Sequence, residues 1–199
     1  MPKVGMEPLR RAALVDATID CIGKAGSLDV TVSQIAKAAG MSSALAHHYF
    51  GAKDQIFLAA MRHILFGFGE AVRAQRAGAE TPRARLESIL RASFDTEQFR
   101  APVISAWLNF YVQAQLSPEA ARLLAVYQSR LRSNLIHDLR PLVGARAAES
   151  AQILAALIDG FYIRAAIGTA PVSPQEAVRL SLLTLDRILS PQTSETTTC

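Results

Sequence analysis

Apolar residues recur along this chain at intervals of three and four almost everywhere, and alternating β-branched runs are nearly absent. That spacing stacks side chains on one face of a helix, so the pattern predicts an all-α protein. Glycine and proline supply the punctuation: Gly26, Gly40, Gly51, Gly78 with Pro82, Pro102, Pro118, Pro141 with Gly144, Gly168 with Pro171 and Pro174, and finally Pro191. These breaks predict about nine helices, near 8–25, 32–39, 43–49, 53–77, 83–98, 101–116, 118–138, 145–168 and 174–189. The first three are short and form one unit over 1–52, and residues 53–190 make a larger helical body. The polar QTSETTTC that follows Pro191 has nothing to bury, which makes 191–199 an expected disordered tail.

Within the first unit, residues 31–50 read TVSQIAKAAGMSSALAHHYF, two short helical patterns joined at Gly40, Met41 and Ser42. This is the layout of a helix-turn-helix. Thr31 is placed to cap the first helix, Gly40 to end it and Ser42 to cap the second. Ala36, Ala39 and Ala44 are small enough to let two steeply crossed helices approach, with Leu45 and Phe50 as anchors. The second helix then offers Ser43, Ala44, His47 and His48 as short or hydrogen-bonding side chains suited to base edges in a major groove. Tyr49 and Lys53 follow where a phenol and an ammonium reach phosphate oxygens. Taken singly, these residues favour a core helix end and a solvated histidine pair, and only their ordered combination favours the DNA-reading helix.

Composition narrows the classes. Half of the 199 residues are hydrophobic and 19% are charged, enough apolar material for a buried core. The net charge of +4 suits an anionic partner without requiring one. Cys21 and Cys199 lie at opposite ends, so no disulfide framework is indicated. No cleavable apolar leader and no long uncharged apolar run is evident, which points to a cytoplasmic protein with no membrane partner. A helical enzyme or a metal protein built on His47 and His48 is the main rival. Adjacent helical positions point about 100° apart and cannot share a ligand site as i and i+4 residues do. HExxH, GxSxG and glycine-rich phosphate loops are also absent. No catalytic residues, metal or cofactor are therefore expected.

The ordered combination of AKAAG, the short turn, and a second helix ending in HHYF before GAK and an apolar helix resembles the TetR family of bacterial repressors. The family's usual ending separates the tyrosine and phenylalanine by one residue, whereas Tyr49 and Phe50 are adjacent here. The opening MPKVGM with RR, then LVDATIDCI, SFD, AWLNF, SNL and ALIDGFYIRAA are similar to the choline-responsive repressors of the glycine betaine pathway within that family. The resemblance implies a homodimer on palindromic double-stranded operator DNA and a C-terminal domain that binds a small effector, with choline as the inducer. A TetR-type regulator answering to an aromatic acid, a drug or a lipid is the other reading.

The residues of the C-terminal part have their own logic. Trp107 and Tyr111 share a helix face with Phe110 beside them, and Tyr127, Phe161 and Tyr162 add rings from other helices. Such stripes usually form core, but rings lining one cavity can hold a quaternary ammonium by cation–π attraction. Asp95 or Asp159 would supply the counter-charge. Asp159 interrupts the apolar run ILAALIDGFYIRAAI and needs either a ligand or a partner such as Arg164 or a symmetry-related chain. Ile153, Leu157, Phe161, Leu182, Leu185 and Ile188 are the apolar positions expected to build a dimer interface from the last two long helices.

Overall fold

The computed structural model describes residues 5–168 and 172–190, so the expected tail at 191–199 lies outside the described residues. Among these residues the chain forms nine α-helices and no strand: α1 (Met6–Ala25), α2 (Val32–Ala38), α3 (Ser43–Phe50), α4 (Lys53–Arg76), α5 (Pro82–Ser93), α6 (Ala101–Leu116), α7 (Pro118–Val143), α8 (Ala147–Ile167) and α9 (Pro174–Leu189). A single 3-10 turn, Gly144–Arg146, joins α7 to α8.

The punctuation explains most boundaries. Proline occupies the first turn of α5, α6, α7 and α9, where its missing N–H costs nothing, and Thr81, Ser117 and Ser173 cap α5, α7 and α9 through their hydroxyls. Two helices depart from the expected lengths. α5 stops at Ser93, not near 98, because Asp95 Oδ1 accepts from the Glu97 N–H at 3.0 Å and the Phe99 N–H closes on the Asp95 carbonyl at 2.8 Å, turning the chain. α7 runs through Pro141 to Val143, past the break expected there. The proline sits in the last turn, where it deletes one bond, and the Gly144 N–H closes the helix on the Arg140 carbonyl.

One apolar core runs from Leu14 of α1 to Leu185 of α9, so the small N-terminal helices and the larger body share buried surface. α1 packs along both α4 and α6, and the body is held by α7 against α6 and α8. At the α1–α6 seam a Cβ at Gly23 would lie 2.6 Å from Pro102 Cα, so only glycine permits this approach. Arg100 reaches Asp20 at 3.5 Å across the same seam.

A second tie joins α4, α5 and α7. Asp138 is fully buried on α7 and accepts from Arg85 Nε at 2.7 Å and from an Arg76 guanidinium nitrogen at 3.1 Å. A buried carboxylate is tolerable only when paired in this way.

The stretch Pro118–Ile167 contains an 18-residue window of mean hydropathy 1.3, long and apolar enough by composition to cross a membrane. Only a third of that window is buried. In α8 the outward apolar positions are Ile153, Ala156, Ile163 and Ile167, with Gly160 in register, and α8 also carries Asp159 and Arg164.

Candidate DNA-reading helix and effector site

The geometry at the N-terminal end follows from its caps. Thr31 and Gln34 form a reciprocal capping box: the Gln34 N–H donates to Thr31 Oγ1 at 3.1 Å and the Thr31 N–H donates to Gln34 Oε1 at 2.7 Å. Gly40 turns the chain at φ 67°, which a side chain would strain, and the Met41 N–H closes on the Ala36 carbonyl at 2.8 Å. Ser42 caps α3, accepting from the Leu45 N–H at 3.2 Å. The two helices then cross over Ala36 and Ala46, both essentially inaccessible to solvent. Ala46 takes the close-contact role expected of Ala44, which lies exposed on the other face.

That exposed face carries Ala44, His47 and His48, flanked by half-buried Ser43 and Tyr49. His47 Nδ1 lies 2.6 Å from the Gly51 carbonyl oxygen. A carbonyl only accepts, so this contact puts a proton on Nδ1 and leaves Nε2 for an outside partner. Lys53 Nζ donates to the Leu28 carbonyl at 3.0 Å while remaining exposed, with two further N–H donors to offer. Thr31 and Ser42 are exposed at the two helix starts.

Sequence reasoning did not single out Arg11. From α1, its guanidinium donates to the Tyr49 carbonyl at 2.6 Å and lies 4.4 Å from the Phe50 ring centroid. It therefore fixes the end of α3 against α1, and the only signal in sequence was an Arg-Arg pair in the first half of an amphipathic helix.

In the body, four of the anticipated rings meet. Trp107 is the hub: its ring centroid lies 4.8 Å from that of Tyr127, 5.8 Å from Tyr111 and 6.0 Å from Tyr162. Tyr111 donates its hydroxyl to Asp159 Oδ1 at 2.8 Å, which brings a carboxylate to the edge of the cluster. Asp159 is half-buried, and among the described residues no cation lies within ion-pair distance of it, Arg164 included. Burial pushes its carboxyl above the usual aspartate value, and the Tyr111 hydrogen bond pulls the other way. Burial, reinforced by the Asp159 charge, raises the Tyr111 and Tyr127 phenols, which stay neutral donors. Tyr162 is held from below, donating to the Ser93 carbonyl at 2.7 Å.

Of the other anticipated residues, Phe110 packs on Trp107 from within the core, whereas Asp95 and Phe161 lie elsewhere. Phe110 is fully buried between Trp107 and Phe57, at 5.8 and 6.3 Å. Asp95 caps the turn after α5 and faces a different concavity, beside Thr96 and Pro174. Phe161 packs edge-on to Phe94 at 5.5 Å. Phe68 of α4, which no sequence signal distinguished from core, stands 6.0 Å from Tyr127.

A helix-turn-helix with an exposed second helix, joined by a long helix to an all-helical body, is the architecture of a DNA-binding transcriptional regulator. Residues 14–60 match the model of the bacterial regulatory proteins of the tetR family, and residues 82–190 match the BetI-type transcriptional repressor C-terminal domain. The chain belongs to the TetR family of transcriptional regulators, and its C-terminal domain is of the BetI type. It is 50% identical over 181 residues to the HTH-type transcriptional regulator BetI of Brucella anthropi, covering 90% of this chain and 93% of that one. The BetI regulator of Rhizobium meliloti is also 50% identical, over 91% of this chain and 90% of its own length. These relatives are regulators, not enzymes.

Among solved structures, a transcriptional regulator from Rhodococcus superposes with a TM-score of 0.80 at 23% identity, covering 90% of this chain and 95% of its own. A regulator from Saccharomonospora viridis, solved in complex with choline, superposes with a TM-score of 0.78 at 23% identity over 88% of this chain and 95% of its own. At that identity the likeness concerns the fold.

Proposed function

We propose that this regulator is a cytoplasmic repressor of choline-uptake and glycine betaine synthesis genes, that it binds a palindromic operator as a homodimer, and that choline is its inducer. The observation carrying the choline assignment is Asp159: a half-buried carboxylate without a cationic partner among the described residues, at the edge of four aromatic rings. A quaternary ammonium satisfies both, by charge and by ring faces. The choline-bound Saccharomonospora regulator and the BetI relatives support the same ligand. With Trp107 and Tyr127 at 4.8 Å, those two rings touch each other. Entry of the cation therefore requires one of them to swing aside.

Residues 1–52 act as the reading head and 53–190 as the sensor. Ser43, Ala44, His47 and His48 meet base edges, while Thr31, Ser42, Tyr49 and Lys53 hold phosphates. The coupling route is short: α6 carries Trp107 and Tyr111 and touches α1 at the Gly23–Pro102 seam. A shift of α6 that admits choline moves α1, and through Arg11 it moves the end of α3. Choline relieves repression to the extent that it prefers the arrangement DNA does not.

The outward stripe Ile153, Ala156, Gly160, Ile163 and Ile167 on α8 supports dimerisation, since its spacing of three and four makes an unpartnered apolar seam. Among the described residues nothing lies within 4 Å of a Cβ at Gly160, which leaves room for a close helix approach. Phe161 and Leu185, expected at that interface, are instead spent on the subunit's own core.

The roles along α3 are separable by experiment. Lys53→Ala is expected to weaken binding to every duplex alike and to lower the salt slope by about one unit, whereas Ser43→Ala and His47→Ala are expected to alter base preference with the slope unchanged. Fluorescence anisotropy against operator and scrambled duplexes at several salt concentrations checks this. An equal loss on both duplexes for all three variants would remove the division of labour.

A further inference from the structure

His47 is held at both its backbone and its ring by Gly51. The Gly51 N–H donates to the His47 carbonyl at 2.7 Å, and the Gly51 carbonyl oxygen lies 2.6 Å from His47 Nδ1. Gly51 adopts φ 72° and ψ −97°, open to glycine and strained for other residues, so the residue that ends α3 also returns its carbonyl to the ring. This places the proton on Nδ1, and in a neutral imidazole the other nitrogen then carries a lone pair and no hydrogen. His47 therefore offers Nε2 as an acceptor alone on the exposed face of α3. Ala44, one turn earlier and also exposed, adds only a methyl group and brings no donor to that face.

The four bases differ in what they give such a group. In the major groove guanine shows two acceptors and thymine an acceptor and a methyl, whereas adenine N6 and cytosine N4 carry hydrogens. A bare Nε2 meets the first two lone pair to lone pair and is hydrogen-bonded by the other two. We infer that His47 is a specificity-determining residue of fixed sense: it accepts a hydrogen bond from an adenine or cytosine amino group of the operator and rejects guanine and thymine at the base it faces. This rests on the reading of α3 as the helix that enters the major groove, and adds to it the chemistry of one base.

The test uses a duplex that the full chain selects from a random pool at about pH 8, where imidazole is neutral. Each adenine in it is replaced in turn by unsubstituted purine, which lacks the 6-amino group and keeps N7, and each cytosine by pyrimidin-2-one, which lacks the 4-amino group. Anisotropy is read for the unmodified chain and for His47→Ala on every duplex, so that weakened base pairing cancels between the two proteins. One amino group per half-site is expected whose loss weakens the unmodified chain about tenfold, the scale of one hydrogen bond left unmade, and leaves His47→Ala within about twofold. His47→Arg, which offers donors only, is expected to select guanine at the same position. Both variants change an exposed side chain, and thermal melts verify that the fold is kept. The inference is overturned if no amino group separates the two proteins, if the loss that His47→Ala erases follows instead from 7-deazaguanine, which would make the ring a donor, or if His47→Arg selects the same base as the unmodified chain. A pool that yields no preferred duplex would overturn the reading of α3 itself, and the inference with it.

Discussion

Asp159→Asn is expected to weaken choline binding by about 10- to 100-fold while operator binding in the absence of choline stays near that of the unmodified protein. Asparagine keeps the acceptor for the Tyr111 hydroxyl, so the change removes charge and little else. Two unit charges about 4 Å apart interact by about 4 kcal/mol at an effective dielectric of about 20, and the partial exposure of Asp159 reduces that to the tenfold-per-1.4 kcal/mol scale of one or two decades. The pH dependence provides a second check. Burial raises the Asp159 carboxyl above its ordinary value, and choline prefers the ionised form, so choline affinity falls as pH drops through that raised value. In the unliganded protein the same shift contributes stability below the ordinary aspartate value, and this is lost as pH rises through the folded value. Choline stabilisation is therefore expected to be larger at neutral than at mildly acid pH, and flat with pH in Asp159→Asn. Tryptophan fluorescence and thermal melts with choline measure both. Unchanged choline affinity in the variant would exclude this carboxylate as the counter-charge.

Asp138→Ala is expected to destabilise the fold by about 3 kcal/mol, at the lower end of the 3–5 kcal/mol for breaking a buried ion pair, because Arg76 and Arg85 each retain about a quarter of their side-chain exposure and can partly hydrate. For a chain of this size that lowers the melting temperature by roughly 6–12 °C. Asp138 joins three helices from one buried position, so no neighbour can replace it. Urea unfolding of the two proteins side by side gives the difference, and a loss below about 1 kcal/mol would mean that the arginines find other partners.

The helices and the helix-turn-helix were legible because their signals are local. Gly26, Gly40 and Gly51 fall where helices end, and Thr31 and Ser42 cap the helices they precede. The boundaries that slipped depend on contacts beyond the local pattern. A turn closed by Asp95 and packed through Phe94 and Phe99 ends α5 early, and a proline tolerated in a last turn lets α7 run on. The rings of α6 share a face by periodicity, but that Tyr127 and Tyr162 converge on Trp107 while Phe110 turns into the core depends on how α6, α7 and α8 pack. Asp138 and its arginines lie 53 and 62 positions apart, and Gly23 and Pro102 come from separate helices, so neither tie leaves any trace in a window of sequence. Ala44 and Ala46 differ only in which side of a two-turn helix they occupy, a distinction that requires the crossing itself.

The most direct test of the central claim is binding of the purified chain to the palindrome upstream of its own gene, followed by anisotropy with choline added in steps. Two chains per palindrome, weak binding to an isolated half-site and release as choline saturates are the expected result. Binding that is indifferent to the palindrome, or an operator complex that holds choline and stays intact, would contradict it.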